Sequence, residues 1–177
     1  MSATAKPAAK TTKPQDAVAL LKQDHDEVKA MFKQYEELGD RAFASKQKLA
    51  EKICLELTKH AMAEEEIFYP AVRSDAKDAD DLVDEATVEH ASAKDLIAQI
   101  HAMDPHDDLY DAKVKVLGEY IDHHVQEEEE EMFPLARKAG IDLVALGEQI
   151  QARKDEIEEI PPPMIPPQAL EGRRPSM

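Results

Sequence analysis

Apolar residues recur at steps of three and four along four stretches of the chain, which is the spacing of one helix face. In the first stretch this face includes Leu21, Val28 and Phe32. The breaks between the stretches are short, so neighbouring helices are predicted to be antiparallel. The four predicted helices cover about 15–37, 45–69, 79–102 and 107–133.

The rest of the chain predicts one more helix and two tails. A shorter helical pattern follows Gly140, over about 142–159. The N-terminus lacks periodicity, and the C-terminus is rich in proline and should be extended. The predicted fold is therefore all-α, an up-down antiparallel four-helix bundle with an additional C-terminal helix. Residues 1–14 are predicted to form a disordered tail and residues 15–138 the bundle. Residues 139–159 are predicted to form a helix packed on the bundle, and residues 160–177 a proline-rich tail.

Composition favours helix over sheet, because the chain has only 5 glycines and no tryptophan. The 22 Lys and Arg residues against 38 Asp and Glu give a formal net charge of -16. This surplus repels nucleic-acid phosphates and anionic membrane surfaces, so we expect neither nucleic acid nor membrane as a partner. Cys54 is the single cysteine, and no apolar stretch approaches the roughly 20 residues of a membrane span, so a cytoplasmic location is predicted.

Polar residues interrupt the apolar face of every predicted bundle helix. Each of the four faces contains a histidine, and two of them contain a glutamate four residues later. A buried carboxylate costs several kcal/mol unless it is paired or bound to a metal. Imidazoles and carboxylates converging in one interior are what a metal site requires. The candidate metal ligands are His25, His60, Glu64, His90, His124 and Glu128.

The spacing of these residues predicts two similar helical hairpins. The pairs His60–Glu64 and His124–Glu128 each lie one turn apart on a helix, and a proline follows each histidine by ten positions. Two hairpins facing each other would give each of two metals a similar ligand set. The proline spacing selects His124, but His123 with Glu127 has the same i, i+4 relation and stays an alternative.

The ordered set of ligands resembles the hemerythrin-like, or HHE cation-binding, domain family. The segments "HAMAE" and "HVQEE" carry the likeness, together with the endings "EEEIFYP" and "EEEEMFP", and it covers roughly 16–135. The resemblance implies a non-haem di-iron centre with an oxo or hydroxo bridge. It makes the four histidines terminal ligands and Glu64 and Glu128 the bridges. Manganese or zinc would be substitutes for iron.

One departure from the oxygen-carrying members of that family concerns the third helix. Those proteins place two histidines four apart there, whereas Ala86 and Lys94 stand four residues before and after His90. Two positions on the metals would then be left for water, O2, peroxide, NO or a side chain. Tyr120 is a candidate to fill such a position or to hydrogen-bond a bound ligand. His123 and Glu127 are candidates to support the ligands or to serve as alternative ligands.

The resemblance implies a di-iron protein that binds or senses O2, peroxide or NO. The alternative is an iron storage or sensing protein whose metal occupancy controls contacts with a protein partner of unknown identity. A metal-free helical interaction module is the third reading. No constellation of nucleophile and base indicates an enzyme, although a weak peroxidase- or catalase-like activity is compatible with such a centre.

Overall fold

The structure is a computed structural model, and it describes residues 14–162. Within that range all regular structure is helical, and two π-helical segments, Glu64–Phe68 and Glu128–Met132, join successive α-helices. The predicted all-α bundle with an additional C-terminal helix is confirmed. The predicted tails lie almost wholly outside the described residues. The α-helices are α1 (Ala17–Glu36), α2 (Phe43–Ala63), α3 (Tyr69–Asp75), α4 (Asp80–Ala102), α5 (Tyr110–Glu127), α6 (Phe133–Lys138) and α7 (Leu143–Glu156).

Aspartate side chains cap the starts of two helices. Asp16 accepts a hydrogen bond from the amide of Ala19 at 2.8 Å and so caps α1, and Asp142 caps α7 in the same way. The predicted start of the fourth bundle helix at 107 is wrong, because α5 begins at Tyr110. The preceding residues form a turn in which Asp104 accepts hydrogen bonds from the amide and ring of His106.

Pro70 and Pro134 lie just beyond the predicted ends of two bundle helices, and the structure includes both prolines in continuous helical runs. The amide of Tyr69 donates to the carbonyl of Glu64, five residues back, and Phe133 does the same to Glu128. These wide turns lie immediately before Pro70 and Pro134, whose rings would clash with the carbonyl four residues back in a regular α-helix. The helices predicted to end at 69 and 133 therefore continue to 75 and 138.

Two apolar clusters lie on either side of a polar layer. One contains Leu21, Phe68, Val83 and Phe133, and the other contains the middle of α2 and the apolar face of α5 from Tyr110 to Val125. On α1, α2 and α4 the buried histidine lies between residues of one cluster and residues of the other, whereas on α5 His124 lies near the end of the helix and the residues of the first cluster follow it on α6. The apolar layers thus supply the hydrophobic stabilisation, and the polar layer is held between them.

Helix α7 packs against α1, α2 and the first π-helical segment. Gly147 makes this close approach feasible, because a Cβ there would lie 2.3 Å from the carbonyl oxygen of Gln15. Ile150 is fully buried in the interface, and Arg153 forms an ion pair with Glu66. In the described part of the chain, none of the helices has the length and apolar character needed to cross a membrane.

Candidate metal centre

The six residues proposed as ligands are all buried and lie in one layer of the bundle. Their imidazoles form two pairs that face each other through Nε2. The Nε2 atoms of His25 and His60 are 3.2 Å apart, and those of His90 and His124 are 3.0 Å apart. Two donor atoms at right angles on one ion, each at about 2.1 Å, would be about 3 Å apart, so each pair has the spacing of a shared cation.

The two buried carboxylates connect the imidazole pairs. Glu64 lies with one oxygen 3.1 Å from Nε2 of His60 and with the other 3.3 Å from Nε2 of His90. Glu128 Oε2 lies 3.3 Å from Nε2 of His25 and 3.5 Å from Nε2 of His124. Each carboxylate therefore reaches both pairs. The atoms form two candidate ligand groups that share Glu64: His25, His60, Glu64 and Glu128, and Glu64, His90 and His124.

Every imidazole of the layer is oriented by a further carboxylate at Nδ1. A carboxylate only accepts, so each Nδ1 carries the proton and each Nε2 presents a lone pair to the centre. The Nδ1 partners are Glu129 for His25 at 2.8 Å, Asp24 for His60 at 3.0 Å, Glu65 for His90 at 2.9 Å and Glu89 for His124 at 2.7 Å.

This orientation leaves the centre with lone pairs that only a cation or protons can satisfy. Within residues 14–162, Glu64 Oε1 and Glu128 Oε2 accept no hydrogen bond although both are buried. Paired Nε2 atoms that both present lone pairs repel each other at such short range. Buried acceptors without donors are rare in folded proteins, and a cation placed among these atoms would satisfy them.

The carboxylates around the centre favour the protonated form of two of its imidazoles. Burial alone lowers the pKa of His60, but Glu64 and Asp24 outweigh it and raise that pKa to about 10. His90 behaves alike: burial lowers its pKa, and Glu64 and Glu65 raise it to about 9. Burial raises the pKa of Glu64, yet His60 and His90 hold it well below its usual range. The centre is therefore built to surround positive charge.

Lysines neutralise two of the carboxylates that orient the imidazoles. Lys154 of α7 is buried and donates to Asp24 Oδ1 at 2.5 Å, while the other oxygen of Asp24 faces His60. Lys94 is half-exposed and donates to both oxygens of Glu65, at 2.8 and 2.6 Å. Two of the acids that orient imidazoles, Asp24 and Glu89, immediately precede His25 and His90 in the sequence, and this adjacency was a signal for their role.

Tyr69 enters the centre and was not predicted from the sequence. Its hydroxyl donates to Glu128 Oε1 at 2.7 Å and lies 3.3 Å from Glu64 Oε2 and 3.2 Å from Nε2 of His90. Burial raises the pKa of Tyr69 well above its usual range, and the two carboxylates add to the shift. Its position directly before Pro70, at the end of the π-helical segment, turns it inward.

The prediction that Tyr120 fills a metal position or binds a ligand there is wrong. Its side chain is 51 % exposed, because α5 turns Leu117 and Ile121 inward instead. His123 is also outside the centre, with a side chain 64 % exposed, and its Nε2 lies 3.3 Å from Glu127. His124 occupies the buried position that the proline spacing selected.

A small cavity adjoins the imidazoles, and it is bordered by Asp24 and Lys94 but not by Glu64 or Glu128. It has a volume of about 20 Å³. Apolar side chains such as Val28, Ile97 and Val125 form much of its wall, and all four ligand histidines border it. A space of this size holds about one water-sized molecule.

Comparison with known proteins gives one family and two individual similarities. The family model for the hemerythrin HHE cation binding domain matches residues 16–136. A Nostoc sp. protein named DNA nickase is 32 % identical over 121 residues, which are 67 % of this chain and 32 % of that protein, so the chain spans about a third of its length. A crystal structure of a Mycobacterium kansasii HHE cation binding domain-containing protein superimposes with a TM-score of 0.69 at 23 % identity, covering 81 % of this chain and 87 % of that one.

Proposed function

This chain belongs to the hemerythrin HHE cation-binding domain family, and on that premise we propose that its buried centre holds two iron ions and binds or senses O2, peroxide or NO. The observation that carries the proposal is the doubled donor set: two imidazole pairs face two buried carboxylates that reach both pairs. Imidazole with carboxylate suits iron, with manganese and zinc as substitutes.

Each part of the donor set has a defined task in this proposal. His25 and His60 would hold one ion, and His90 and His124 the other, with Nε2 as the ligand atom in each case. Glu64 and Glu128 would bridge, which gives their unpaired oxygens a partner. The carboxylates at Nδ1 fix the tautomer and raise the basicity of each imidazole.

An iron pair supplies two electrons to O2 or peroxide, or binds NO. The chain's own residues decide which molecules arrive there. The cavity of about 20 Å³ limits the ligand to the size of a diatomic molecule or peroxide, and its apolar wall keeps bulk water away. The hydroxyl of Tyr69 lies beside both carboxylates, so it would hold a metal position or hydrogen-bond a ligand.

The test is metal content combined with spectroscopy. The purified chain should contain two iron ions and show near-ultraviolet and visible bands that change on addition of O2, peroxide or NO. The control variant His106→Ala should keep the iron and the bands, because His106 is an exposed histidine in the turn before α5. Stoichiometric iron with a spectrum indifferent to all three ligands would refute the ligand-binding part. Absence of bound metal from a folded chain would refute the whole proposal.

Iron storage or sensing is the second candidate, and one contact favours it. Lys154 links α7 through Asp24 to His60, so the occupancy of the centre is coupled to the packing of a helix on the outside of the bundle. Hydrogen exchange of α7 with and without iron tests this coupling. If the protection of α7 is unchanged by iron, the sensing reading loses its support.

The proposal includes neither a nucleic acid nor a membrane as partner. The net charge of -16 opposes association with phosphates and anionic lipid surfaces. The activity in the name of the Nostoc protein belongs to a chain of which this one covers 32 %. Binding of a labelled DNA duplex to the iron-loaded chain at physiological salt would contradict this part of the proposal.

A further inference from the structure

A second group of metal-type side chains lies outside the buried centre, on the surface between α4 and α5. We call Glu89, His123 and Glu127 the outer site. Nε2 of His123 lies 3.3 Å from Glu127 Oε1 and 3.5 Å from Glu89 Oε1, and the group's ligand atoms lie within 4.8 Å of one another. One imidazole and two carboxylates at this spacing are a donor set for a divalent cation.

A narrow cleft leads from the outer site to the buried centre. Glu89 and Glu127 border the cleft at the surface, and His124 and Glu128 border it inside. Glu128 is only 2 % exposed, and its Oε2 accepts no hydrogen bond within the described chain, so an unsatisfied acceptor borders the inner end. The volume of about 10 Å³ holds about one water-sized sphere, so a cation would pass only after losing most of its water.

Glu89 belongs to both ends of this path. Its Oε1 faces His123 of the outer site, and its Oε2 accepts the hydrogen bond from Nδ1 of His124 at 2.7 Å. A cation on the outer site is therefore one carboxylate away from a residue of the buried centre. Glu85 and Glu131 add negative charge near Glu127 and strengthen the attraction for cations.

The corresponding face of the other hairpin is closed. Asp24 corresponds to Glu89, but its free oxygen is bound by the ammonium group of Lys154 from α7. Lys59 and Ala63 stand at the positions of His123 and Glu127, so that face has no second or third ligand. The walls there are fully buried, at Ala17, Leu21, Ala63 and Phe68. Positive charge and tight packing thus block one face and leave the other open.

We propose that the outer site binds a divalent cation and that the cleft behind it is the route by which the buried centre is loaded. The second half of this inference rests on the proposed function, since it requires a buried metal, whereas cation binding at the outer site does not. Three protein ligands on an exposed surface leave positions for water, so binding there should be weak and exchangeable, as a loading step requires.

The first test measures the outer site alone. The iron-loaded chain is titrated with Zn²⁺ by calorimetry, while its iron content is followed. We expect one additional Zn²⁺ per chain, lost in the double variant His123→Asn, Glu127→Gln. The matched control is His101→Asn, Glu148→Gln, which removes the same groups from exposed positions on α4 and α7. No additional Zn²⁺ in the unmodified chain, or its persistence in the first variant, would overturn the proposal.

The second test measures the route. Metal-free chain is mixed with Fe²⁺ without oxygen, and samples are quenched with a chelator at intervals. We expect His123→Asn, Glu127→Gln to load about tenfold more slowly, with unchanged final iron content, and the control to load normally. Equal loading rates would refute the route. If the unmodified chain retains no iron, the proposed function fails, and the difference in Zn²⁺ binding between the metal-free unmodified chain and the metal-free His123→Asn, Glu127→Gln variant decides the outer site separately.

Discussion

The two hairpins of the bundle, α1 with α2 and α4 with α5, carry the same polar pattern. In each, an acid precedes the first histidine and orients the second histidine of that hairpin, as Asp24 does for His60 and Glu89 for His124. In each, the glutamate after the bridging one orients the first histidine of the opposite hairpin. The hairpins therefore complete each other, and neither forms an imidazole environment of this kind alone.

They differ in what surrounds this shared pattern. Tyr69 stacks on His90 with ring centroids 5.3 Å apart, and its counterpart Phe133 stacks on His25 at 5.8 Å but carries no hydroxyl. Asp24 is bound by Lys154, while Glu89 faces the exposed His123. The residues common to both hairpins suit metal binding. The residues that differ give the two proposed metal positions different neighbouring hydroxyl groups and different access from solvent.

The largest expected effect comes from removing the carboxylate common to both ligand groups. Glu64→Ala should lower iron affinity by more than about 100-fold, because it deletes a ligand from both positions at once. Iron per chain after dialysis is the measurement, with circular dichroism to verify folding. Glu130→Ala, an exposed acid in the second π-helical segment, should keep its iron. Full iron retention in Glu64→Ala would remove Glu64 from the centre.

A smaller loss of iron is expected from replacing His124 of α5, and none from replacing the adjacent His123. His124→Ala should lose about one of the two ions, because His124 is buried and faces the second position. His123→Ala should keep both at equilibrium, since its side chain points to solvent. Iron content after extended loading measures both. The reverse pattern would show that the proline spacing selected the wrong residue.

The two lysines that bind the orienting acids should differ in their contribution to stability. Lys154→Met should lower the free energy of unfolding by about 3 kcal/mol, because it leaves Asp24 without its buried cation. Lys94→Met should lower it by only about 0.5 kcal/mol, because Lys94 is 40 % exposed and solvent screens the pair. Urea unfolding of the metal-free chain measures both. Equal losses would mean that burial does not distinguish the pairs.

The smallest effect on metal content should come from making the two hairpins more alike. Tyr69→Phe should retain both iron ions but change the visible spectrum and shift NO affinity several-fold, because only the hydroxyl beside Glu64 and Glu128 is lost. Phe133→Tyr is the mirror variant, which adds a hydroxyl beside His25. A spectrum of Tyr69→Phe identical to that of the unmodified chain would show that the hydroxyl does not interact with the metals.

The buried layer could be predicted because it contradicts the apolar pattern around it. A histidine such as His60 or His90 on an otherwise apolar helix face is an anomaly that helical periodicity exposes. The structure brings together all six residues identified in this way. Whether each one binds metal is still a prediction.

The residues that were missed depend on features that periodicity does not describe. A π-helical turn adds a residue, so the inward positions after Glu64 shift. Tyr69, five residues after Glu64, is buried, whereas Ile67, three residues after it, is only partly buried. On α5, counting three residues from Leu117 gave Tyr120, whereas Ile121 is the buried residue. Lys154 reaches Asp24 only through tertiary packing, which no local pattern indicates.

Gly147 affects the buried centre indirectly, because it sets how closely α7 packs against the bundle. The helix rests there on the backbone of Gln15 and Asp16, so even a methyl group would force the two main chains apart. Because Lys154 is two turns further along the same rigid rod, such a displacement would also withdraw its ammonium group from Asp24. The ion pair that neutralises the carboxylate beside His60 thus depends on a glycine at the contact between α7 and the bundle.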